Sequence, residues 1–142
     1  MNNSNSKRKR VISVSCSIII NQKKILILKR RHKGPRNRLW EFPGGKQEPD
    51  ESIESCIKRE LKEELGIAVT VAEQLISIDH AYSHKKLRFM VHLCHWVSGE
   101  PRPLASQQVR WVKPEELKEF PFPAANARMI KALMIWLATA EA

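Results

Sequence analysis

The run GGKQEPDESIESCIKRELKEELGI, Gly44 to Ile67, constrains this chain more than any other stretch. Two glycines form a turn ahead of a segment whose periodicity is helical from about residue 50 to residue 65, and Gly66 stands where helices usually end in a left-handed residue. At about 100° per residue, Ile57, Leu61 and Leu65 make an apolar stripe that has to be buried. Glu60, Glu63 and Glu64 fall within an arc of about 100° beside it. Like charges at i and i+4 cost a helix a few tenths of a kcal/mol, so helix propensity alone does not select this arrangement. Two readings are open. One is a solvated acidic face paired with Lys58, Arg59 and Lys62. The other is a divalent-cation site: hard Mg²⁺ takes oxygen ligands from a few carboxylates, water and substrate phosphates, and its charge removes the repulsion.

The rest of the chain supplies a sheet for that helix. VISVSCSIII and KILILKR, rich in β-branched and aliphatic residues, read as a hairpin with Asn21 and Gln22 at its turn. A basic, Gly- and Pro-containing loop follows, with one short strand around residues 39–42. Strands are expected at 74–78, at 87–97 with Leu87, Phe89, Val91 and Leu93 on one face, and at 109–112. A short helix is expected at 114–119, opened by its proline, and a longer amphipathic one at 126–139. An early helix among strands and a late helix closing them predict an α+β fold, a sandwich with a mixed β-sheet between helices.

At 142 residues the chain fits one domain with a core of its own. No apolar run approaches the roughly 20 residues that span a bilayer, and the polar, basic start is not a signal peptide. No membrane partner and a cytoplasmic location are therefore expected. Cys16, Cys56 and Cys94 fall in no CxxC pair and read as buried free thiols. The net charge of +10 favours polyanionic partners. Part of it lies in residues 1–10, expected to be a disordered basic tail offering nucleic acid a weak contact, ahead of a domain spanning residues 11–142.

Gly45, five residues, Glu51, seven residues, then Arg59, Glu60, Leu61, Lys62, Glu63, Glu64, Leu65, Gly66 and Ile67 match the Nudix box at every defined position. The chain thus resembles the Nudix hydrolases. The resemblance implies an α/β/α sandwich and hydrolysis of a nucleoside diphosphate linked to another group, with Mg²⁺ or Mn²⁺ held by Glu60, Glu63 and Glu64. It also implies the Gly45 carbonyl as a further metal oxygen, and an Arg59–Glu51 ion pair that braces loop and helix.

Outside the box, LWEFPGGK at residues 39–46, GEP at 99–101, Trp111 and FPAAN at 122–126 are similar to the MutT-type pyrophosphohydrolases and to the C-terminal domain of MutY-type adenine glycosylases. The MutT resemblance implies conversion of 8-oxo-dGTP to 8-oxo-dGMP and pyrophosphate, which removes a mutagenic nucleotide from the pool. Two alternatives stand beside it: a pyrophosphohydrolase for CTP or modified dCTP, and a MutY-type module that binds oxidised guanine without hydrolysis.

By the same resemblance Asn126 reads the purine, Phe42 lies in the base pocket and Arg30 lies near the nucleotide. Each position also has a structural reading: Asn126 as a helix cap, Phe42 as core and Arg30 as a solvated charge. Trp40 and Trp111 read as core or pocket wall, and His80 and His84 as exposed or core. His92 and His95, three apart in a strand, face opposite sides. One departure stands out. Where MutT carries a further glutamate near its metals this chain has Ala105, and no carboxylate occurs between Glu100 and Glu115. The base role then falls to a box glutamate, or Gln107 or Gln108 positions the water.

Overall fold

The computed structural model describes residues 10–31 and 38–141. The expected tail, apart from Arg10, lies outside the described residues, as do residues 32–37 of the basic loop. In chain order the strands are β1 (Arg10–Asn21), β2 (Lys24–Lys29), β3 (Trp40–Glu41) and β4 (Gly44–Lys46). Helix α1 (Ile53–Leu65) comes next, followed by β5 (Ala68–Ala81), β6 (Lys85–Ser98) and β7 (Gln108–Val112). A 3₁₀ helix (Pro114–Glu119) and helix α2 (Asn126–Glu141) complete the fold.

The centre of the sheet is β1, whose apolar run is buried on both faces. Ile18 packs beneath α2, with Leu93, Met129 and Leu133, whereas its neighbour Ile19 packs beneath α1, with Ile57, Leu61 and Leu65. Such two-sided burial is why the run is continuously apolar rather than alternating. On one edge β1 pairs antiparallel with β2 and β4. On the other it pairs parallel with β6, from Arg10 opposite Lys85 to Ile20 opposite His95. The sheet is therefore mixed, and the helices cover its two faces in the expected α/β/α sandwich. Burial of Ile57, Leu61 and Leu65, all at 0 % exposure, is worth roughly 1.5–3 kcal/mol for each side chain. That exceeds the few tenths of a kcal/mol lost to carboxylate repulsion along α1, so packing sets the helix and the acids follow.

Several boundaries differ from the sequence expectation for local reasons. The β1–β2 turn is Gln22–Lys23, one residue later than expected, both with positive φ (50° and 63°) as a two-residue hairpin turn requires. Gly44 and Gly45 are not a turn but the start of β4, held in register against Cys16 and Ser15. Helix α1 begins at Ile53, later than residue 50, because Ser52 caps it and Asp50 sits at φ 63°. Strand β5 runs well beyond residues 74–78; register shifts near Ala68, Val71 and Gln74 break its alternation and conceal its length in the sequence. The 114–119 segment is a 3₁₀ rather than an α-helix.

Candidate active site

Helix α1 is pinned at both ends. The Ser52 side chain accepts from the Ser55 N–H at 3.1 Å, and the Gly66 N–H, with φ 71°, donates to the Lys62 carbonyl. Between these caps Glu60 and Glu64 face the Gly44–Gly45 strand. The Gly44 N–H donates to Glu64 Oε1 at 3.0 Å. Gly45 lies so close to Glu60 that a Cβ there would come within 2.3 Å of the carboxylate carbon. Glycine is needed for this approach, and the strand thereby contacts two of the three candidate acids.

Arg59 ties the loop to the helix. Its Nε donates to Glu51 Oε2 at 2.6 Å and its Nη2 to Glu51 Oε1 at 2.9 Å, the bidentate pair expected from the sequence. Nη2 also donates to the Lys46 carbonyl at 3.0 Å, and Nη1 reaches Glu60 Oε1 at 2.9 Å and Glu63 Oε2 at 3.4 Å. Hydrogen bonding to Arg59 holds the Glu51 carboxyl down at about 2. Glu64 is the opposite case. Burial, then the neighbouring Glu60 charge, push it up to about 8, against the lowering effect of the Gly44 N–H. Glu63 is the most exposed of the three, Glu60 and Glu64 being partly buried.

A fourth carboxylate joins them. Glu41 on β3 is raised by burial, and its charge contributes to the rise of Glu64. It is ion-paired at 3.3 Å with Arg30 Nε, a buried N–H that lacks an aligned hydrogen bond. Arg30 is therefore a partly buried, paired charge beside the acids and not a solvated one. Glu41 was not singled out from the sequence, since its only signal is its place inside LWEFPGGK.

Among the described residues no three His, Cys, Asp or Glu side chains close into a ready-made metal cage. What the site offers is a pair of carboxylates, Glu60 and Glu64, meeting on one glycine strand, with an excess of negative charge that raises Glu64. This donor set fits Mg²⁺, which keeps several waters and binds through one or two carboxylates together with substrate phosphates. The Gly45 carbonyl accepts from Ser15 Oγ at 3.2 Å and lies 3.6 Å from Cys56 Sγ.

Phe42 is buried, at 4 % exposure, and stacks on Phe122 with centroids 5.3 Å apart. Asn126 opens α2, buried at 8 % exposure. Its N–H donates to the Pro123 carbonyl, and its side chain bonds to none of the described residues. One helical turn further, Met129 lies in the Phe42–Phe122 cluster and accepts a long contact from Cys16 Sγ at 3.5 Å, so Asn126 and Met129 share a face toward that cluster. Trp40 is core, and Trp111 packs against the cluster under α1. His92 is buried and His95 exposed, as their spacing requires, while His80 and Tyr82 touch near the β5–β6 turn. Ala105 is exposed in the segment after GEP. The side chain of Gln107 donates to the Arg30 carbonyl and its N–H to the Lys29 carbonyl, so Gln107 fastens that segment to the end of β2.

The sequence matches a family model described as NUDIX domain over residues 15–132. It is 36% identical over 129 residues to the CTP pyrophosphohydrolase of Escherichia coli (strain K12), a match covering 88% of this chain and 93% of that protein. It is 35% identical over 127 residues to the 8-oxo-dGTP diphosphatase of Haemophilus influenzae, covering 89% and 93%. The fold superposes with a TM-score of 0.77 on the crystal structure of the MutT NUDIX hydrolase from Burkholderia pseudomallei, at 29% identity and covering 87% and 98%.

Proposed function

The chain belongs to the NUDIX domain family and is a Nudix hydrolase acting as a nucleoside triphosphate pyrophosphohydrolase, and on that premise we propose that its substrate is 8-oxo-dGTP, hydrolysed to 8-oxo-dGMP and pyrophosphate with Mg²⁺ or Mn²⁺ as cofactor. The observation that carries the choice of base is Asn126, a largely buried residue at the start of α2 whose side-chain amide bonds to none of the described residues. Its amide is not among the buried polar groups left without a partner, so its donor and acceptor stay open to a ligand, and a purine edge offers them complementary groups. Phe42 and Phe122, stacked in the same cluster, supply a flat apolar wall for the base.

In this reading Glu60, Glu63 and Glu64 hold the cation. A divalent ion held there would supply charge neutralisation for the diphosphate and would acidify the attacking water. The chain's own groups set the geometry. The Gly44 N–H fixes Glu64, Gly45 leaves room for the Glu60 carboxylate, and Arg59, anchored on Glu51, holds the loop against the helix. Arg30, beside Glu41, places a positive charge at the edge of the site for the nucleotide. With Ala105 in place of an acid and Gln107 committed to the Arg30 carbonyl, proton acceptance from the water falls to the box glutamates. The complete set of box acids also favours hydrolysis over a purely recognising role of the MutY type.

A second reading, hydrolysis of CTP or a modified dCTP, is favoured by the Escherichia coli relative named CTP pyrophosphohydrolase. Pyrophosphate release from equal concentrations of 8-oxo-dGTP, dGTP, CTP and 5-methyl-dCTP, in Mg²⁺, separates the two. The highest kcat/KM is expected for 8-oxo-dGTP. A higher value for either pyrimidine transfers the assignment, and no release from any of them removes it.

A further inference from the structure

We infer that Ser15 is a positioning residue whose hydroxyl locks the glycine strand that seats Glu60 and Glu64. Ser15 lies on the central strand β1, is 1 % exposed, and is the register partner of Gly45. Its Oγ donates to the Gly45 carbonyl at 3.2 Å and accepts from the Gly45 N–H at 3.2 Å. A hydroxyl has one proton to give and lone pairs to accept with, so one side chain satisfies both backbone groups of this glycine. It thereby fixes the peptide planes on either side of Gly45. In a trans peptide the Gly44 carbonyl then points opposite to the Gly45 N–H, away from Ser15. The thiol of Cys56, 3.5 Å from the Lys46 carbonyl, closes the same buried seam beneath α1.

The lock matters because two glycines in succession have no conformational preference of their own. Both carboxylates depend on them: Glu64 accepts from the Gly44 N–H, and Glu60 lies against the Gly45 Cα. Ser15 touches neither carboxylate and acts only through the strand. Outer groups that orient metal ligands commonly change metal affinity by about ten- to a hundredfold when removed.

This inference rests on the reading that Glu60 and Glu64 hold the cation, and its test separates the two. Mn²⁺ binding to the nucleotide-free protein is followed by the loss of the free-ion electron paramagnetic resonance signal, with thermal unfolding in EDTA as the second readout. Ser15→Ala is expected to weaken Mn²⁺ binding about tenfold at a temperature where the protein is fully folded. Val112→Ala, in the core away from the acids, is expected to lower Tm and leave Mn²⁺ binding unchanged. If Ser15→Ala binds Mn²⁺ as the wild type does, or if Val112→Ala weakens it equally, the assignment of Ser15 is overturned. Glu64→Gln tests the underlying site. Weakened binding there with intact binding in Ser15→Ala overturns Ser15 alone, whereas intact binding in Glu64→Gln overturns both. Should Ser15→Ala not fold, Ser15→Cys, of similar size but with only a weak thiol hydrogen bond, carries the same expectation and the same refutation.

Discussion

Gly44 and Gly45 are adjacent in sequence, yet an added methyl group would meet different obstacles at the two positions. At Gly44 it would fall 1.9 Å from the Ser15 carbonyl oxygen, part of the central strand, and at Gly45 it would fall 2.3 Å from the end of the Glu60 side chain. Backbone cannot move aside cheaply, whereas a glutamate can swing away.

Gly44→Ala is therefore expected to destabilise the fold by about 1–3 kcal/mol, as overpacking does. Gly45→Ala should change stability by less than about 1 kcal/mol but displace Glu60, lowering activity about tenfold or more at unchanged fold. Thermal unfolding and kcat measured on both variants check the contrast. Equal losses of Tm would refute it.

Glu64→Gln keeps an acceptor for the Gly44 N–H but removes the charge, and it is expected to cut turnover at least about a hundredfold, since cation-centred charge stabilisation is worth several kcal/mol. Its stability should respond to pH in the opposite direction from most acids. The folded protein holds the Glu64 proton up to about 8, against an ordinary 4.5. The contribution of the protonated group is thus fully present below 4.5 and is lost as pH rises through 8. In EDTA, wild-type Tm should fall relative to Glu64→Gln as pH is raised from 5 to about 9. Parallel Tm profiles would contradict the buried, charge-crowded position of Glu64.

The Glu51–Arg59 pair behaves conversely. Its carboxyl is held at about 2 rather than 4.5, so the stability it lends is present above 4.5 and disappears as pH falls through 2. The Tm difference between wild type and Glu51→Gln should be constant near neutrality and vanish in strong acid. A difference that persists to about pH 1.5 would mean that packing, not the charge, is what Glu51 contributes.

Asn126→Ala tests the base assignment. It is expected to raise KM for 8-oxo-dGTP more than for dGTP, shrinking the preference tenfold or more, on the order of 1–3 kcal/mol for a lost buried hydrogen bond. Because the side chain has no hydrogen bond to a described residue to lose, Tm should change little. A substrate ratio equal to that of the wild type would leave the choice of base without its residue.

Helix α1 and its acids are legible because their signals are local, a stripe at helical spacing and a terminal glycine, while its start is placed only by the Ser52 cap. The β1–β2 hairpin was legible for the same reason, to within one residue at its turn. Strand β4 was not, because glycines carry no side-chain pattern and become a strand only through Ser15 and Cys16 beside them. Most of β5 was hidden by its bulges. Glu41, inside LWEFPGGK, and Ser15, in the β1 run, carry no sequence signal of a site role; they approach the acids only after β1, β3 and β4 take their places in the sheet. Gln107 was a candidate for holding water on the strength of its position, and its bond to the Arg30 carbonyl depends on a chain reversal that no local pattern encodes.

The parallel pairing of β1 with β6 has a consequence for biosynthesis. Ile18 and Ile19 leave the ribosome early, yet their partners Leu93 and Cys94 emerge only after more than half of the chain has been made. Until then the β1–β2 hairpin can form, but one side of the buried central strand stays open, and non-local parallel pairing is the slow kind. A nascent chain stalled before residue 98 would present that strand edge to the cell, which makes premature termination in this region a route to aggregation and β6 the element whose arrival commits the protein to its fold.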